Sequence, residues 1–321
     1  MTRLRFKAIV AGIACMEFLA LCSPAEAAVK LELKLAKGKT YYQKTVTDQQ
    51  IAQTMMGQEQ KMEQGIGTGL KLQVLDVDAQ GNMRIQYTYL WSRLKQVNPM
   101  VEIDYDSSRQ SPVPAGAEAF AGLVGQSYTV KITPKGKVLD VNGVEQLREA
   151  VLKKLPAGAD TSLAMNPVAM YIDKQGVKQM VEMNMAIYPE KPVSPSDSWS
   201  KHLTMAVGFT LVIDSKWTLQ KEEAGVATIG VMATVRTDPN APPIEANGMK
   251  MKAQMSGTQE GTIRIVEATG LIVSSQDRAQ IKGQLDIVAP GQDQPAMSIP
   301  MTILTQVTSE AGEQMWKDGP K

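Results

Sequence analysis

Cysteine, histidine and phenylalanine are scarce in this 321-residue sequence. The two cysteines, Cys15 and Cys22, both fall within the first 27 residues, and His202 is the single histidine. Beyond residue 27 there is therefore no thiol to build a disulfide, a nucleophile or a thiolate metal site. No G-x-S-x-G occurs, so the common nucleophile elbow is missing as well. Only two phenylalanines, Phe120 and Phe209, lie past residue 27, against all of the twenty methionines except Met1 and Met16. The core must then be filled by Val, Ile, Leu and Met, an adaptable set. Charge of either sign is not in excess, with 34 Lys and Arg against 33 Asp and Glu. A clustered basic footprint for nucleic acid is absent, so nucleic acid is excluded as a partner. After residue 27 no stretch approaches about 18 uninterrupted apolar residues, and no transmembrane span is expected there.

What is present at the start reads as an export signal. Arg3, Arg5 and Lys7 precede an apolar run from Ala8 to Leu21, broken only by Glu17. Ala25-Glu26-Ala27 supplies the small-x-small pattern of a cleavage site, so residues 1–27 are expected to be removed after Ala27. The expected location is the periplasm or the exterior. Lipidation is disfavoured, because Cys22 follows the bulky Leu21 and Cys15 lies too early in the apolar run.

The remainder is β-rich. Its clearest unit is Gly125 to Gly143, where Tyr128, Val130 and Ile132 alternate with polar residues, Thr133-Pro134-Lys135-Gly136 turns, and Val138 and Val141 continue. Leu31, Leu33 and Leu35 alternate similarly, as do Leu70, Leu72 and Val74, and Met83, Ile85, Tyr87 and Tyr89. Between Thr45 and Gly69 a Gln-rich stretch pivots near Met56-Gly57, the pattern of a long two-stranded ribbon. Pro112 to Ala119 reads as a loop. Asn142 is placed to cap a helix with its apolar face at Val144, Leu147, Val151 and Leu155. Asn166-Pro167 is placed to open a second helix reaching Ile187, loosened at Gly176.

The later part repeats the strand pattern. Phe209, Leu211, Ile213, Trp217 and Leu219 share a face, and Ile281, Leu285 and Ile287 another. Met297, Ile299, Met301 and Ile303 form a last strand that Pro300 assigns to an edge. Ile132-x-x-x-Gly136-x-Val138 is echoed by Val266-x-x-x-Gly270-x-Ile272, which is consistent with duplication and equally with two unrelated Gly-turn hairpins. The expected fold is mainly β (α+β): two curved antiparallel meander halves with a central two-helix insertion. The expected division is 1–27 signal, 28–142 first β half, 143–188 helices, 189–197 Pro-rich linker, 198–309 second β half and 310–321 tail.

The order of several short elements resembles a family of uncharacterised secreted bacterial proteins, a domain of unknown function common in planctomycetes and similar Gram-negative groups. The matching elements are Lys37-Gly38-Lys39-Thr40-Tyr41, Met55-Met56-Gly57-Gln58-Glu59, Val77-Asp78-Ala79-Gln80-Gly81 and Pro134-Lys135-Gly136-Lys137-Val138. Pro189-x-Lys191-Pro192-Val193, Asp197-Ser198-Trp199, Gly261 and Gly270 complete the series, which runs from Val29 to Ser309. Ser196 stands where that family usually has Gly. The resemblance implies export and brings no activity or functional residue with it.

Candidate chemistries are few. Ser198-Trp199-Ser200-Lys201 matches S-x-x-K by letter, but nearby Pro192 and Pro195 point to extended chain, which cannot set Lys over Ser. Asp76 to Gly81 begins like a calcium loop, yet its twelfth position is Tyr87, so a β-turn is expected. Asp104 and Asp106 place two carboxylates on one side of an extended segment with no second cluster near in sequence. Met180, Met183 and Met185, then Met249, Met251 and Met255, then Met297 and Met301 are close enough in sequence to invite copper, but read better as core filler. No catalytic, cofactor or metal residue is therefore assigned, and an enzyme is the least favoured class. Long curved strands with Met-rich aliphatic faces fit a carrier of an apolar ligand such as lipid. The alternative is an envelope protein that captures a protein partner along the edge of its Gln-rich ribbon.

Overall fold

The computed structural model describes residues 28–317 apart from 56, 110–111, 160–167, 208, 247–248 and 293. The proposed cleavage site at Ala27 and the Asn166-Pro167 helix start lie outside the described residues. In the first half the alternating stretches become β1 (Thr40–Met55), β2 (Gln58–Val77), β3 (Met83–Asn98), β4 (Val101–Asp106), β5 (Ser127–Ile132) and β6 (Val138–Asn142). The second half holds β7 (Ser198–Val207), β8 (Phe209–Glu223), β9 (Val226–Thr237), β10 (Ile244–Ala246), β11 (Met249–Val266), β12 (Ile272–Val288) and β13 (Met297–Gly312). Among the described residues four short helices accompany them: α1 (Glu118–Leu123), α2 (Val144–Leu152), α3 (Ala169–Ile172) and α4 (Lys174–Met185).

All strands join one antiparallel sheet in the order β6-β5-β3-β2-β1-β13-β12-β11-β9-β8-β7, with β4 beside β3 and β10 beside β11. The first half runs from the centre outward. The second begins at the far edge and walks back inward, so the two halves are sewn together where β1 pairs β13, from Tyr42 with Gly312 to Gln53 with Met301. The edge position expected for the last strand is wrong: β13 has β1 on one side and β12 on the other. Pro300 is tolerated because pairing to β1 stops at Met301, leaving Pro300 opposite only Gln284 of β12. The Gln-rich ribbon forms as expected, with Met55 opposite Gln58. It does not offer a long edge, however, since β13 covers β1 and β3 covers β2 from Glu63 onward.

On the inner face of the first half, register sets Leu72, Tyr87 and Tyr128 side by side, and Val74, Ile85, Val130 and Val141 in the next row. The Tyr87 and Tyr128 rings stack with centroids 5.2 Å apart. The helices close this face. Phe120 of α1, Leu147 and Val151 of α2 and Val177 and Val181 of α4 are all buried in the same core. Each such side chain stabilises the fold by about 1.5–3 kcal/mol. The stretch expected to be loop at Pro112–Ala119 therefore ends inside α1. Asn142 does not cap α2: Gly143, at φ 86°, takes the cap position, and the Asn142 side chain donates to Asp140 at 2.6 Å. The long second helix is broken at Asp173, whose carboxylate accepts from the N–H groups of Gln175 and Gly176 and so starts α4.

Leu31, Leu33 and Leu35 are buried to within 2% of full, but not as a ladder strand. Only Val29 makes a bridge, to Val193. The rest is an extended strap between the two Gly-turn hairpins. Leu33 donates its N–H to the Pro134 carbonyl at 2.8 Å, and Lys34 to that of Thr269 at 2.7 Å. Tyr188 closes the joint by donating to the Gly270 carbonyl at 2.6 Å. At both turns only glycine fits. Gly136 has φ 81° and a Cβ there would stand 1.9 Å from the Met185 carbonyl oxygen; Gly270 has φ 67° and would meet that of Glu32 at 2.0 Å. The strap thus pins one turn from each half of the sheet. The expected 310–321 tail instead opens inside β13, which runs to Gly312, and its Trp316 is buried over Gly69 on the outer face.

Candidate functional site

The inner face of the second half continues the same alternation without helices standing on it. Register lines up Ile263, Gly261, Gln259 and Gly257 of β11 with Ser275, Asp277, Ala279 and Ile281 of β12. Those in turn adjoin Ser309, Val307, Thr305 and Ile303 of β13. From the other side come Val231 and Val235 of β9, Ile213 and Trp217 of β8 and Leu203 of β7. Together they line an open trough of about 270 Å³, walled at one end by Met183, Asn184 and Ile187 where α4 finishes. Trp199 stacks on Trp217 and donates its indole N–H to the Ile187 carbonyl at 2.6 Å, which fixes that end wall. A wider hollow of about 620 Å³ lies at the far tip between Phe209, Pro243 and Met255. It is more open and more polar than the trough, which is the better-formed ligand site.

One flank of the trough is polar. Gln43 donates to Ser309 at 3.4 Å and Gln49 to Thr305 at 3.1 Å, while the Thr45 and Ser309 hydroxyls lie 3.1 Å apart. These inward side chains of β1 and β13 make a rail along the apolar floor. At the middle of the floor stands Asp277. Its Oδ1 accepts from Gln259 at 3.3 Å and occupies the space opposite Gly261, where a Cβ would lie 2.2 Å away. Among the described residues no Lys, Arg or His pairs with it. Burial pushes its pKa up, and the hydrogen bonds from Gln259 and Ser275 pull the other way without cancelling that effect.

None of the residues weighed for chemistry on sequence grounds forms a catalytic set. His202 is exposed on the outer face, with Nδ1 2.6 Å from Asp214, which also binds Arg236. Ser198 and Lys201 point to opposite faces of β7: the Ser198 hydroxyl meets that of Thr218 at 2.9 Å, and Lys201 donates to the Ala186 carbonyl. Asp78 is a turn residue, accepting the N–H groups of Gln80 and Asn82, and with Lys131 and Asn82 on its carboxylate its pKa is pulled well down. Asp104 is held by Arg109 at 3.0 Å, and Asp106 accepts from the Trp91 indole at 2.8 Å. Met185 and Met255 are buried, whereas Met183 is half-exposed at the trough. Sequence reasoning noticed the aliphatic strand faces but not Asp277. The available signal was a carboxylate at an inward position of an otherwise apolar alternation, Ser275-x-Asp277-x-Ala279-x-Ile281.

Residues 80–272, from the turn before β3 to the first residue of β12, match a family of unknown function (DUF6263). That is more than half of the chain, and the chain belongs to this family. The matched stretch is shorter than the Val29 to Ser309 span expected from the sequence. No curated protein matches. Among solved structures, one on lipid–protein interactions in lipovitellin aligns over 86% of this chain at 7% identity and a TM-score of 0.47. This chain spans about a quarter of that one, 25% of its length. Pseudomonas aeruginosa OccK7 (OpdD) aligns over 86% of this chain and 99% of its own, at 9% identity and a TM-score of 0.22. Neither likeness is close enough to carry fold or function across.

Proposed function

We propose that this member of a family without an assigned activity binds and carries an apolar ligand, a single-chain amphiphile, in the trough of its second half. The observation that carries the reading is the contrast on one continuous face: helices seal the first half, while Leu203, Ile213, Val231, Ile281 and Val307 line an open channel in the second. At about 30 Å³ per methylene-sized group, 270 Å³ holds on the order of ten. Burying ten methylenes is worth about 8 kcal/mol, and an association cost of at least about 4 kcal/mol leaves affinity in the millimolar range.

In this reading residues 1–27 direct export, the carrier works in the periplasm, and no reaction is catalysed. Partner capture along the Gln-rich ribbon is weaker, because β13 and β3 already occupy most of both ribbon edges. The test is native mass spectrometry of the purified protein with decanol offered. One adduct per chain is expected in the wild type and loss of it in Ile213→Glu. An unchanged apo mass for the wild type would remove the carrier reading.

A further inference from the structure

The polar end of that ligand can be read from Asp277. The trough presents a single carboxylate and no guanidinium or ammonium among its lining residues. An ionised carboxylate offers about four acceptor sites, and the side-chain hydrogen bonds from Gln259, 3.3 Å long, and from Ser275 leave about half of them open. A desolvated carboxylate without a cation is costly, whereas a cation brought beside it restores the lost interaction. The inward-facing cation on the opposite flank, Lys201, stands four strands away on β7 with its ammonium committed to the Ala186 carbonyl. Gly261 leaves the carboxylate room at the floor, and Ala279 and Ile281 continue the apolar wall along the same strand. The trough therefore has a cation-seeking group at one point and a hydrocarbon path leading from it.

We propose that the ligand is a primary alkylamine-type amphiphile, its ammonium group paired with Asp277 and its chain laid along Ala279, Ile281 and Ile213. This rests on the carrier reading and sharpens it. Ligands headed by carboxylate or phosphate are disfavoured, since they would set a second negative charge beside Asp277 in a site with no cation to offset it. Neutral heads gain only hydrogen bonds.

Titration calorimetry at pH 7 with decylamine, decanol and decanoate separates the cases. Decylamine should bind at least about tenfold more tightly than decanol, the scale of a charge-assisted hydrogen bond, and decanoate more weakly than decanol. Asp277→Asn should bring decylamine down to the decanol level while decanol binding stays within about twofold. Equal binding of decylamine and decanol by the wild type overturns this proposal and leaves the carrier reading standing, without recourse to any variant. Preferred binding of decanoate overturns it as well, and so does an amine preference that survives in Asp277→Asn. Failure of all three compounds to bind overturns both.

Discussion

The two halves of the sheet share one alternation of side chains but differ in the size of what projects from it. Inward positions of β3 and β5 carry Tyr87, Tyr89 and Tyr128, and Tyr89 reaches Tyr171 of α3, which in turn meets Phe120 of α1. The matching positions of β11 and β12 include Gly257, Gly261, Ser275 and Ala279, too short to reach across to a covering layer. One continuous sheet thus gives a sealed core where its inner residues are large and a channel where they are small. Core and site are distinguished here first by volume, and then by the polar Gln259 and Asp277 that the site's strands turn inward.

That contrast can be tested by substitution, with stability read from urea denaturation. The largest loss is expected at Phe120→Ala in the sealed half, about 3–5 kcal/mol. Gly136→Ala and Gly270→Ala, one in each half, should cost about 3 kcal/mol apiece, from a left-handed backbone and a clash with a neighbouring carbonyl. A small loss at Gly270→Ala would show that the strap does not pack on that turn as described, and a small loss at Gly136→Ala that the end of α4 does not pack on the other. Ile213→Ala in the trough should cost only about 1–2 kcal/mol, because that side chain is only partly buried. A loss as large as that of Phe120→Ala would mean that the trough is closed. Ser196→Gly should stabilise by about 1 kcal/mol, since Ser196 holds φ 76°, a conformation that glycine adopts without strain. His202→Ala, at an exposed outer-face pair, should leave the denaturation midpoint where it is.

Much of the strand pattern was legible in the sequence because each strand declares itself over six to ten residues. The turn at Thr133–Gly136, the ribbon paired at Met55 and Gln58, and the inward run from Phe209 to Leu219 all needed only local alternation. What lay hidden depends on pairing across the chain. Pro300 looked like an edge marker because nothing near it in sequence reveals that β1 stops short of it. Leu31, Leu33 and Leu35 looked like a ladder strand because a buried strap uses the same alternation without the hydrogen bonds. The helix broken at Asp173 read as continuous because apolar periodicity runs through the break. Asp277 carries only a weak local signal because its setting is supplied by two neighbouring strands, through Gln259 and Val307.

The seam between β1 and β13 also constrains how the molecule is made. β1 is among the first strands to leave the ribosome and β13 is the last, yet they are direct neighbours. Until β13 arrives, one whole side of β1 carries unpaired N–H and C=O groups, an invitation to stray strands. Nor can any intermediate hide that side by folding early, because the partner has not yet been synthesised. Biogenesis of this sheet therefore includes an obligatory waiting period, in which the chain needs either a holding factor or a concentration low enough that β1 meets no other edge before its own arrives.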